Sequence, residues 1–168
     1  GVSSKTIQAW VSILQASYVV YLLPPYFENS RKRLTKSPKM YFCDTGLACT
    51  LLGIESAEQL AFDKMRGHLF ENLIVVELLK RRLNEAKESN LYFYRDSNQN
   101  EVDILVNNGS SLDAIEVKSA MTYNPSFEKA LLKVNEWVNP PVGKRTIIYA
   151  GTLEDDKSNI RLLNYRNM

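Results

Sequence analysis

Little in this chain can hold a soft metal or a disulfide. Its 168 residues include two cysteines, Cys43 and Cys49, and one histidine, His68. They form no C-x-x-C pair and no zinc-ligand spacing, so a zinc finger and a redox dithiol are excluded. Two thiols without such a framework read as reduced side chains of an intracellular, cytoplasmic protein. No apolar run approaches the roughly 18–20 residues of a membrane span, and no signal peptide precedes the fold. The pattern G-x-x-x-x-G-K-[ST] is missing, so this chain binds no ATP through a P-loop. Internal repeats and low-complexity tracts are also missing. The opening Gly1-Val2-Ser3-Ser4 lacks methionine, which is the start expected of a fragment with regions upstream missing.

What is present is an ordinary globular balance, 45% hydrophobic and 24% charged, in a chain long enough for one domain or two small ones. A core of this size needs no covalent staples. The net charge of +2 hides an asymmetry. Residues 1–42 hold six Lys or Arg against one acid, Glu28, whereas residues 43–168 hold fifteen against eighteen acids. A polyanion would therefore meet the N-terminal part first, at Arg31, Lys32, Arg33 and Lys36.

The first 53 residues read as helix, strand, basic loop, strand. Ser3 or Ser4 caps a helix running to Ala16, with Ile7, Trp10, Val11 and Leu14 on one stripe. Residues 18–23, ending at Pro24-Pro25, and 39–43 read as strands. Between them lies the basic loop PPYFENSRKRLTKSP. This order is the back half of a winged helix-turn-helix. Asp44 caps a short helix, 45–52, ended by Gly53, and 54–66 reads as a linker with a helical turn. Residues 67–83 form a helix apolar on most sides, hence largely buried, with Lys80, Arg81 and Arg82 suiting its C-terminal dipole. Strands follow at 91–95, 101–107 and 111–118, the last two joined by Asn108-Gly109, a hairpin signal. A helix from Pro125 to Val138 carries Phe127, Leu131, Val134 and Val138 on one stripe. Strands at 145–150 and 160–165 close the chain.

One short stretch, DAIEVKSA (113–120), places Glu116 and Lys118 two apart inside a packed strand, hence on one face. With Asn108-Gly109 as a two-residue turn, residue 103 pairs with 114, and Asp103 joins that face as a diagonal neighbour of Glu116. Carboxylates converging on one point repel unless a cation lies between them. Hard oxygen donors favour Mg²⁺ or Mn²⁺ over zinc. Lys118 cannot ligate while charged, but it can hold a water and neutralise a phosphate oxygen, the arrangement that serves phosphodiester hydrolysis. Glu71, between Phe70 and Leu73 on the buried helix, is placed to reach the same metal, through water. Glu101 is expected at the rim, Asp113 on the opposite face, and Arg95 near a phosphate of the scissile strand. His68 is a helix-start or surface residue, and Tyr92 and Tyr94 belong to the core.

The order helix with Glu71, hairpin with Asp103, EVK at 116–118, helix and strand resembles the core of the PD-(D/E)XK nuclease superfamily, which includes restriction endonucleases and archaeal Holliday-junction resolvases. The resemblance covers residues 67–150 and implies Asp103 and Glu116 as metal ligands, Lys118 as the catalytic lysine and Glu71 as the helix acid. Val102 stands where the proline of the name would be. A second resemblance spans nearly the whole chain. LPPYFEN, RKRLTKSPKMYFCDTGLA, GHLFENLIVVEL, YFYRDSNQNEVDILV and IEVKSA look like an uncharacterised prokaryotic family that forms the C-terminal region of AAA-type ATPases. It implies an ATPase module, with its ATP, in a missing upstream part of the same polypeptide.

The expected fold is therefore α/β: a partial winged-helix segment (1–53), a linker (54–66) and a restriction-endonuclease-like αβββαβ domain (67–168). The expected function is a Mg²⁺- or Mn²⁺-dependent DNA nuclease domain. The alternatives are a non-catalytic DNA- or protein-binding module on a nuclease-like scaffold, or an interaction domain that regulates the ATPase.

Overall fold

A computed structural model describes residues 1–27, 37–156 and 159–168. It is a mixed α/β structure built on a five-stranded mixed sheet. The N-terminal helix α1 (Ser4–Ala16) starts where the Ser3 hydroxyl accepts the Thr6 N–H. Strands β1 (Val20–Leu23) and β2 (Lys39–Phe42) pair antiparallel, with Val20 opposite Phe42 and Leu23 opposite Lys39. Helix α2 (Thr45–Leu51) is capped by the Asp44 carboxylate on the Leu47 N–H. It ends at Gly53, whose φ of +72° a side chain would resist. The segment expected as a linker contains α3 (Ala57–Phe62), opened by a reciprocal Ser56–Gln59 capping box.

Helix α4 (Arg66–Asn84) buries Leu69, Ile74, Val75, Val76 and Leu79. Strands β3 (Leu91–Arg95), β4 (Glu101–Asn107), β5 (Leu112–Lys118), β6 (Val142–Tyr149) and β7 (Arg161–Asn164) lie in that order across the sheet. β3, β4 and β5 pair antiparallel, and β6 and β7 continue parallel to β5. A parallel neighbour needs a crossover, and residues 119–141 supply it. The uninterrupted helix expected over Pro125–Val138 is instead a 3₁₀ turn at Pro125–Glu128, α5 (Lys129–Lys133) and a second 3₁₀ turn at Val134–Glu136. Its apolar stripe survives: Leu131 and Val134 are fully buried. Burial against the sheet holds this segment, so a continuous helical ladder is not required.

Two cores sandwich the sheet. One joins Ile74, Val75 and Leu79 of α4 to Phe93, Ile104, Ile115 and Ile148. The other joins Leu131 and Val134 to Val102, Leu105, Ala114 and Ile147, with Trp137 stacked on Tyr94 at 5.8 Å. The N-terminal hairpin is stitched to the sheet edge: Phe93 donates to the Pro24 carbonyl at 3.1 Å and accepts from the Tyr26 N–H at 2.7 Å. α1 is different. Its apolar stripe stays outside both cores: the helix buries none of its residues, and Trp10 is 55% exposed. No described helix is long and apolar enough to cross a membrane.

Candidate metal and phosphodiester site

The site begins with a hairpin whose turn lies one residue later than its sequence suggests. Asn108 donates to the Ser111 carbonyl at 2.9 Å, so Gly109 and Ser110 form the tip. Gly109 has φ +85° and Ser110 is not among the residues of positive φ, the pattern of a Gly-first hairpin turn. The register consequently runs Asn107 with Leu112 and Ile104 with Ile115. One further step sets Asp103 directly opposite Glu116, where a diagonal was expected; a shift of two residues preserves the face.

A β-bulge then re-aims Asp103. Tyr92 stands opposite Leu105 and Tyr94 opposite Val102, so Asp103 and Ile104 together face Phe93. Val102 and Ile104 would share a face in a regular strand, but they line opposite cores. Bulges bend a strand and redirect side chains in this way. The Asp103 carboxylate leaves the alternation and caps β5, its Oδ2 accepting the Val117 N–H at 2.9 Å.

Glu116 is buried, 8% exposed. Its Oε1 accepts from Lys118 Nζ at 2.5 Å, and its buried Oε2 has no hydrogen-bond partner. Lys118 extends over the Phe127 ring at 6.0 Å. Glu71 reaches down from α4, its Oε1 accepting from Tyr41 at 2.5 Å and from Lys39 at 3.0 Å. Lys39 also lies 2.8 Å from Glu101, which takes a two-pronged grip from Arg95. The structure thus brings Asp103, Glu116, Lys118 and Glu71 into one cluster and adds Lys39, Tyr41, Glu101 and Arg95. Glu101 is a half-buried hub and not a rim residue. Arg95 is engaged with Glu101, which is a different role from the phosphate contact expected of it. Asp113, as expected, points elsewhere and accepts the Lys144 N–H. Arg31, Lys32, Arg33 and Lys36 lie outside the described residues.

The electrostatics follow from crowding. Burial, then the neighbouring carboxylates of Glu116 and Glu71, push Asp103 up to about 7. Burial also raises Glu116, against the pull of Lys118. Burial opposes the charge on Lys39, but Glu71 and Glu101 overcome it and hold the ammonium above its ordinary value. Lys118 is likewise raised: burial disfavours its charge and Glu116 outweighs it. Burial and Glu71 keep the Tyr41 phenol protonated.

Two strained carboxylates with an unpartnered buried oxygen fit a hard divalent cation. Mg²⁺ is ordinarily held by one or two carboxylates, waters and substrate phosphates, and Asp103 and Glu116 are the residues that would hold it here. Among the described residues no three His, Cys, Asp or Glu side chains form a cage of their own. A cleft of about 750 Å³ opens beside the cluster, lined by Met40, Leu52, His68, Glu71, Glu101 and Asp103; Glu116 and Lys118 do not line it.

Lys39 and Tyr41, placed by sequence on the strand 39–43, were not among the expected site residues. The available signal was alternation: in a strand 39–42, Lys39 and Tyr41 share a face, and that face here turns inward while Met40 is exposed.

The profile of a domain of unknown function (DUF4143) matches residues 66–168, and that of a second domain of unknown function (DUF8612) matches residues 1–58. Uncharacterised proteins of Mycobacterium tuberculosis and Mycobacterium bovis are each 28% identical over 150 residues. The match covers 89% of this chain and 32% of each relative, so the chain spans about a third of their length. No solved structure matches it significantly.

Proposed function

The chain belongs to the DUF4143 family of domains of unknown function, and from that premise we propose that it is a divalent-metal-dependent DNA nuclease domain that hydrolyses phosphodiester bonds. The observation that carries this reading is the half-buried Asp103, raised by desolvation and by the buried Glu116 beside it, with Glu116 Oε2 unpartnered and Lys118 alongside. The order α4, three antiparallel strands, a helical crossover and a parallel strand supports a restriction-endonuclease-like core.

Asp103 and Glu116 would hold Mg²⁺ or Mn²⁺. The bound ion supplies a lowered water pKa and charge neutralisation at the phosphate. Asp103 keeps its geometry through the Val117 amide. The Lys118 ammonium positions the attacking water and donates to a phosphate oxygen as negative charge builds there. The water oxygen would bond to phosphorus as the phosphorus–oxygen bond to the leaving sugar breaks; the water gives up a proton to solvent and the leaving oxygen takes one from solvent to depart as an alcohol. The resemblance to C-terminal regions of prokaryotic AAA-type ATPases, with relatives three times as long, supports an ATPase module on the same polypeptide that delivers nucleic acid.

Plasmid and branched-DNA cleavage tests the reading. Activity is expected only with Mg²⁺ or Mn²⁺, and Asp103→Ala or Lys118→Ala should lower it by at least about 100-fold. Equal cleavage by wild type and both variants would sink the proposal.

A second reading, a DNA- or protein-binding module, is favoured by one observation: Lys39, Arg95 and Lys118 already neutralise most of the acids. It predicts salt-sensitive DNA binding that is lost when Arg31, Lys32 and Arg33 become Ala and is indifferent to Asp103→Ala. A mobility-shift assay separates the two.

A further inference from the structure

Lys39 is an unusual member of an acidic cluster. It comes from β2, in the part of the chain matched by the other domain profile, and it is drawn in from a basic stretch. Its side chain is 18% exposed and lies between two carboxylates, Glu71 at 3.0 Å and Glu101 at 2.8 Å. Below it is the Phe93 ring, 5.4 Å from Nζ to the ring centre. Glu71 and Glu101 are the two acids not assigned to the metal. A cation bridging two carboxylates beside a first metal site matches in charge and in donor set the second ion of two-ion hydrolases.

Charge arithmetic points the same way. With every carboxylate ionised, as ligation requires, Glu71, Glu101, Asp103 and Glu116 face Lys39, Arg95 and Lys118, which leaves one net negative charge. One divalent ion brings the cluster to one net positive charge, which a single phosphodiester cancels. A second divalent ion would leave three positive charges in a half-buried site, an arrangement opposed by repulsion and by desolvation.

We propose that Lys39 is a built-in second cation, which restricts the site to one divalent ion and makes the N-terminal hairpin part of it. The inference rests on the nuclease reading for the first ion, at Asp103 and Glu116, where the unpartnered Glu116 Oε2 is the independent sign of a ligand. Tyr41, two residues along the same strand, fixes the Glu71 oxygen that Lys39 contacts. Lys39 is therefore a positioning and stoichiometry-setting residue.

The test is Mn²⁺ binding to the whole chain, read as ions per chain by electron paramagnetic resonance of free Mn²⁺, with no substrate and no activity assay. Wild type should take up one ion. Lys39→Gln, which keeps the stem and loses the charge, should bind the first ion several-fold more tightly and acquire a second, weaker one. Lys39→Arg should restore single occupancy. Thermal melting of Lys39→Gln should show a loss that Mn²⁺ reverses. Two ions in wild type overturn the proposal whatever the variants do, including a Gln variant that fails to fold. One ion in wild type and one in Lys39→Gln overturn it while leaving the nuclease reading standing. No uptake by wild type, or uptake unchanged in an Asp103→Asn, Glu116→Gln double variant, removes the metal reading itself and this inference with it.

Discussion

At Asp103 a β-bulge, two neighbouring carboxylates and one backbone amide act on a single carboxyl group. The amide favours its charge; burial and the neighbours oppose it and win, placing it near pH 7. Far below its ordinary value of 3.8 the folded and unfolded chains both hold the proton. Between there and about 7 the unfolded chain releases it and the folded chain resists, so stability falls as pH rises through that window. Asp103→Asn takes the group out of this competition. Its melting temperature should gain on that of wild type from about pH 4 to about pH 7 without divalent ions and hold that gain above it. Added Mg²⁺ should close the gap by stabilising only the wild type. Melts that stay parallel across the range would show that Asp103 ionises freely.

The strand β2 owes its position to two adjacent residues of α4. Asn72 accepts the Phe42 N–H at 2.8 Å and donates to the Phe42 carbonyl at 2.9 Å and to Thr45 at 3.0 Å. It thus acts as a strand would, while Glu71 holds the side chains of the same strand. Asn72→Ala leaves the Phe42 backbone groups without their partner, at a cost of about 1–3 kcal/mol. Hydrogen exchange should accelerate in β1 and β2 while amides of β4 and β5 keep their protection; uniform acceleration would mean that the hairpin is not held separately. Element by element, much of the architecture was readable. The apolar run of α4, the Ser3 and Asp44 caps and the alternating strands each have a local cause visible in residue types. The crossover was not readable as three pieces, because Phe127, Leu131, Val134 and Val138 bury equally well from a helix or from a helix flanked by tighter turns. The turn at Gly109-Ser110 was misplaced by one residue because Asn108-Gly109 and Gly109-Ser110 are both good hairpin pairs, and only the sheet register chooses between them.

Across the whole molecule, the candidate site draws on β2, α4, β3, β4 and β5, segments separated by up to about eighty residues in sequence. Glu116 and Lys118 were legible because both lie on one strand. Asp103 was legible as a neighbour but not in its detail, since a bulge adds no residue type that sequence could reveal. Lys39 was hidden by its context: a lysine ending a basic stretch reads as solvated, and only the folded chain turns it inward. The two tryptophans give the chain optical reporters of opposite kind. Trp10 stands in water on α1, and Trp137 lies flat against Tyr94, their planes 8° apart. Iodide should therefore quench one emission component strongly, red-shifted and lost in Trp10→Phe, and a bluer one from the half-buried Trp137 less. Denaturant should move only the bluer component, so the chain carries its own gauge of whether the sheet is intact, with an internal reference that the transition leaves unchanged.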